Sequence, residues 1–176
     1  LPSFRANLLL FHMKNKSLNY VMRKPIGISA CLLGTNCRFD GGNCEIPDIH
    51  SWPCEWVPVC PEIAGGLPTP RVPAELTRST SEVITTGFGV INKHGEDVSQ
   101  HFISGSKVSL EIMKSEGCET VILKSHSPSC GFGLVYDGHF TGKLIERNGI
   151  FAQMCVDAEL QVLSSENLST FEKVAP

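Results

Sequence analysis

The chain is 176 residues long, with 41% hydrophobic and 19% charged residues and a formal charge of −3 from 15 basic and 18 acidic side chains. That length suits one domain with a core able to stand alone, and a slightly acidic balance with no basic run argues against nucleic acid as a partner gripped through its phosphates. No apolar run approaches the ~20 residues that span a bilayer, which argues against an integral membrane protein.

Residues 1–21 carry no turn chemistry, no clear amphipathic period and no strand pattern, and are expected to be an N-terminal extension outside the fold. Met22 reads as the start of a single domain over 22–176. The apolar stretch between Arg5 and His12 is too short for a secretory core and lacks a small-residue cleavage site. The eight cysteines are therefore expected in a reducing cytoplasm, as a metal or catalytic set rather than a disulfide framework.

Ile26 to Cys31 reads as a buried strand, and Trp56 to Cys60 as a second, with Pro58 placing it at a sheet edge or strand end. Glu82 to Ile91 reads as a pair of short strands hinged at Gly87. Asp97 to Glu116 predicts a helix, with Val98/Phe102 and Val108/Ile112 at i,i+4 spacing and Gly117 just past its end. Val121 to Lys124 is a third strand, Gly149 to Asp157 a second helix and Leu160 to Leu163 a fourth strand. Strands interleaved with helices give an α/β sandwich with a mainly parallel sheet.

Three cysteines share one context. Cys31 and Cys60 end the first two strands, and Cys130 follows the third within Ser127-Pro128-Ser129-Cys130-Gly131. In an open parallel sheet, ligands sit beyond the carboxyl ends of the strands, so thiols 29 and 70 residues apart can meet there. Gly34, Gly65-Gly66, Gly131 and Gly133 follow these cysteines and permit close backbone approach. With no Cys-x-x-Cys pair a compact zinc ribbon is poorly supported. Three separated thiolates suit zinc or an iron–sulfur cluster, and a cubane held by only three leaves one iron open as a Lewis acid. Cys37, Cys44, Cys54, Cys118 and Cys155 lack the glycine-framed context and fall outside this set, the last two as packing residues.

Longer motifs follow in order: Ser29-Ala30-Cys31-Leu32-Leu33-Gly34, Arg38-Phe39-Asp40-Gly41-Gly42, Pro58-Val59-Cys60-Pro61-Glu62, Gly65-Gly66-Leu67-Pro68-Thr69-Pro70-Arg71, Lys124-Ser125-His126-Ser127-Pro128-Ser129-Cys130-Gly131 and Tyr136-Asp137-Gly138. Over about residues 25–165 the chain resembles the thiouracil desulfidase family. Phe39 stands where that family commonly has tyrosine, and the Cys31–Cys60 interval is unusually rich in cysteine.

The resemblance implies a Rossmann-like three-layer α/β sandwich and a 4Fe-4S cluster held by Cys31, Cys60 and Cys130, with one open iron. It implies non-redox removal of sulfur from a small thiolated pyrimidine such as 2-thiouracil, giving the oxo product and hydrosulfide. Glu62 and Ser127 match the family's assisting glutamate and serine. Glu62, two residues past a cysteine ligand, suits a general base, and Ser127 either bonds a ring carbonyl or satisfies the turn before Pro128. Arg38 and Arg71 are read as anchors of a substrate carbonyl or phosphate, or as partners of Asp40 and Glu75. Lys124 is expected to face the crevice, and His126 to make a local loop contact. The alternatives are a thiouridine desulfidase acting on nucleotides or tRNA, and a non-enzymatic cluster- or zinc-binding redox module.

Overall fold

In the computed structural model, residues 24–168 are described; the expected extension over 1–21 lies outside them. Four parallel strands form the central sheet, in the order Trp56–Val59, Ile26–Ser29, Thr120–Leu123, Gln161–Ser164. They are β1 (Ile26–Ser29), β2 (Trp56–Val59), β5 (Thr120–Leu123) and β8 (Gln161–Ser164), close to the four expected runs. β2 lies at an edge, where Pro58 costs no ladder bond.

Side chains alternate across the sheet as the two-residue period requires. Val57, Val59, Val121, Leu123 and Val162 pack on one face with Met113, Phe151 and Cys155. Those three belong to α3 (Ser99–Ser115) and α4 (Ile150–Asp157), the two long helices. Ile26, Ile28 and Ile122 pack on the other face with Leu32 and Ile49. That face is covered by 3-10 turns over Ala30–Leu33 and Ile49–Ser51 and by the loop joining them to β2, with no α-helix of the described residues on it. The expected layering is present, its second cover irregular rather than helical.

The segment over 82–91 departs from expectation. Thr80–Thr86 is a helix, α2, with Gly87 closing it in the left-handed conformation at φ 75°. Val83, Ile84, Thr85 and Thr86 read as strand by their β-branched side chains, yet Ser79 and Glu82 form a reciprocal capping box that starts a helix. Only Val90–Asn92 is extended, as β4, and it pairs antiparallel with β3 (Ala74–Leu76). A second small hairpin joins β6 (Leu134–Tyr136) to β7 (Leu144–Glu146). One more helix, α1 (Pro61–Ala64), begins directly after Cys60.

The buried face of α3 keeps Phe102 of the expected apolar spacing but not its second pair. Val108 and Ile112 are 47% and 41% exposed, while Phe102, Gly105, Ser106, Ser109 and Met113 are buried. Small residues win that face because α1 crosses it closely: a Cβ at Gly105 would stand 1.8 Å from the carbonyl oxygen of Pro61.

Candidate active site

Beyond the carboxyl ends of β1, β2 and β5 lies a cavity of about 780 Å³. Cys31, Cys60 and Cys130 all line it, brought together from three separate elements. Cys31 sits in the 3-10 turn that continues β1, and Gly34 at φ 86° ends that turn. Cys60 precedes α1, whose first turn carries Glu62. Cys130 follows β5 within a loop folded against Gly149, whose amide donates to the carbonyl of Gly131 at 2.7 Å.

The glutamate is held on both oxygens. Nε of Arg71 donates to Glu62 Oε2 at 2.6 Å, with Nη2 of the same guanidinium on that oxygen as well. Ser129 donates to Oε1 at 2.8 Å, and Ser127 to the same atom at 3.3 Å. The Glu62 and Arg71 side chains are 13% and 7% exposed, so the pair is largely shielded from water. Of the partners the sequence offers Arg71, Glu75 is not taken, since it accepts from the amides of Gly138 and Phe140 at 2.9 and 3.0 Å. Arg38 does pair with Asp40, at 2.9 Å.

Ser127 has two roles in this geometry. Its Oγ accepts from the amides of Ser129 and Cys130, each at 3.2 Å, so it ties the turn that presents Cys130. The shorter bond to Glu62 comes from Ser129, a residue the motif matching passed over although it is 1% exposed. Ser29 was also missed: its hydroxyl accepts from the amide of Lys124 at 3.0 Å and bonds the Cys130 thiol, stitching β1 to β5 at the cavity floor. Lys124 lines the cavity as expected, its ammonium donating to the Ser125 carbonyl and hydroxyl at 3.1 and 3.0 Å. His126 lines it too, with its ring edge toward Tyr136 and Nε2 3.4 Å from Glu166.

The division of the thiols into three and five needs redrawing. Cys37 lines the same cavity, with its thiol in hydrogen-bonding reach of Cys31 and Cys60. Cys44 reaches Cys31, and its amide donates to the Cys31 carbonyl at 3.0 Å. The loop from 34 to 44 folds back over the end of β1, which spacing alone did not reveal. Cys118 and Cys155 are buried packing residues as expected, and no disulfide joins any of the eight.

The thiols perturb one another. Contact with Cys37 and Cys44, then burial, raises Cys31; contact with Cys37, then burial, raises Cys60. Burial pushes Cys130 up to about 12. Cys37 is drawn well below the ordinary thiol range because Cys31 and Cys60 donate to it. A metal centre at these thiols would have to displace their protons.

The donor set fits a cluster. Cys31, Cys60 and Cys130 come from three separate elements to line one cavity, and a cubane takes each thiolate on a different iron. A parallel α/β sheet with soft ligands and a clamped carboxylate beyond its strand ends has the layout of a metal-cluster enzyme core.

The family model for 2-thiouracil desulfurase matches residues 26–167, and the chain belongs to that family. It is 37% identical over 145 residues to the uncharacterized protein YbbK of Bacillus subtilis (strain 168), covering 81% of this chain and 96% of that protein. It also superposes with a TM-score of 0.77 on a solved structure of the 4Fe-4S-dependent thiouracil desulfidase TudS, at 33% identity, covering 86% of this chain and 97% of that one. The resemblance expected from the motifs is borne out.

Proposed function

We propose that the protein is a cluster-dependent desulfidase that converts a small thiolated pyrimidine of the 2-thiouracil type to its oxo form, releasing hydrosulfide. The observation that carries the reading is the convergence of Cys31, Cys60 and Cys130 on one cavity beside a clamped glutamate. Those three thiolates would hold a 4Fe-4S cluster. When bound, the cluster supplies a soft Lewis acid at the iron without one of these ligands, suited to a thiocarbonyl sulfur.

The chain's own residues do the rest. Glu62 accepts a proton from the water that adds at the ring carbon, as general base. Arg71 and Ser129 fix its two oxygens, so the carboxylate needs little reorientation. Ser127 orders the turn bearing Cys130. Val59, Leu67, Pro68 and Phe102 give an apolar wall that excludes bulk water, and Phe39 and Tyr136 stand at the rim where a flat ring can stack. The setting this reading calls for is a cytoplasm reducing enough to preserve the cluster; no helix among the described residues is long and apolar enough to cross a membrane.

The test is anaerobic reconstitution with iron and sulfide, followed by iron content and 2-thiouracil turnover. The wild type should load and turn over, while Cys31→Ala, Cys60→Ala and Cys130→Ala should lose both. Full turnover without iron, or in any of those variants, would overturn the assignment.

A further inference from the structure

Cys37 has neither a strand end nor a glycine frame to announce it, yet the fold holds it in the cavity at 6% exposure. Its thiol contacts those of both Cys31 and Cys60, two of the three assigned ligands. It is also anchored. Both terminal nitrogens of Arg71 donate to the Cys37 carbonyl at 3.0 Å, and the same guanidinium grips Glu62. One arginine thus fixes the candidate base and the loop that carries this thiol. Cys44 makes a weaker case, since it contacts Cys31 alone among the ligands and does not line the cavity.

Resting on the ligand assignment above, we propose that Cys37 is a fourth, exchangeable thiolate ligand: it occupies the remaining iron when no substrate is present and gives way to the substrate's sulfur. In the exchange one iron–thiolate bond breaks and one bond from iron to the substrate sulfur forms. Cys37 keeps the electron pair of the broken bond and takes a proton from water, so no iron changes oxidation state. The thiolate shields an iron that would otherwise face water and oxidant between turnovers, and it competes with substrate for that position.

The experiment compares wild type, Cys37→Ser and Cys44→Ser, each reconstituted anaerobically and then exposed without substrate to limiting ferricyanide and a chelator. Electron paramagnetic resonance follows the 3Fe-4S species that appears when one iron is lost. If Cys37 occupies that iron nine-tenths of the time, Cys37→Ser should lose it about tenfold faster than wild type. Cys44→Ser should track the wild type. Equal rates in wild type and Cys37→Ser at equal starting iron content would overturn the proposal, as would an acceleration in Cys44→Ser as large as in Cys37→Ser. Those outcomes leave the three-ligand assignment standing. A wild type that takes up no cluster, or a Cys31→Ala, Cys60→Ala or Cys130→Ala variant that keeps it whole, overturns that assignment and this proposal together.

Discussion

At the residue scale, Glu62 and the two serines beside it separate into different jobs. Glu62→Gln keeps the size and the hydrogen-bonding reach of the side chain but removes the base proposed above. It should lower kcat for 2-thiouracil by roughly 10²–10⁴ while leaving cluster content unchanged. Ser129 donates to Glu62 at 2.8 Å, whereas Ser127 accepts from two amides in the turn before Cys130. Ser129→Ala should therefore show its deficit in kcat with the cluster retained. Ser127→Ala should cost about 1–2 kcal/mol in urea denaturation and loosen the cluster, because it leaves two amides unpaired. Iron content measured beside turnover distinguishes the two, and the opposite pattern would reverse the roles. Glu62 and Ser127 could be singled out in the sequence because each stands within three residues of a cysteine in a long motif. Ser129 was legible only as a neighbour, since nothing in the chain shows that its hydroxyl turns toward a residue 67 positions away. The Arg71 partner was out of reach of the sequence for the same reason: the carboxylate it finds is on α1, brought back by the turn at Gly65 and Gly66.

At the scale of elements, the contact between α1 and α3 sets the height of Glu62 over the cavity. A Cβ at Gly105 would meet the Pro61 carbonyl oxygen at 1.8 Å and the Gly65 amide nitrogen at 2.5 Å, both backbone atoms that cannot swing aside. Gly105→Ala should destabilise the fold by ~1–3 kcal/mol and, by lifting α1, reduce turnover even at temperatures where the protein stays folded. Ile112→Lys, on the exposed side of the same helix, should change stability by less than about 0.5 kcal/mol. Thermal and urea unfolding check both. The central strands were readable as short apolar runs bounded by turn residues. The face of α3 was only partly so, because its buried stripe mixes Phe102, Ile103 and Met113 with Gly105, Ser106 and Ser109, small residues chosen for closeness rather than hydrophobicity. The hairpin of β6 and β7 escaped notice for a related reason: Leu134 and Tyr136 are 39% and 37% exposed, so the alternation that betrays a half-buried strand is carried by Val135 almost alone.

At the scale of the whole molecule, stability should fall on the alkaline side. Cys118 is buried at the junction of α3 and β5, and burial, with the charges of Glu116 and Glu55 nearby, raises its thiol above the ordinary value of 9.0. The folded chain keeps that proton while the unfolded chain releases it near pH 9, so the contribution is complete below pH 9 and is lost as pH rises through the folded value. Urea midpoints of the cluster-free protein between about pH 7 and 10 should fall less steeply for Cys118→Val than for the wild type; parallel curves would rule the thiol out. The sheet order carries a further consequence, for synthesis. Cys31 and Cys60 leave the ribosome in the first part of the chain, but Cys130 joins them only after α3 has crossed over and β5 has paired with β1. A nascent chain stopped anywhere before that pairing offers two of the three thiols and no pocket. If Cys31, Cys60 and Cys130 hold the cluster, whatever delivers iron and sulfide meets β5 already laid beside β1, which would make cofactor loading a checkpoint on folding instead of a nucleus for it.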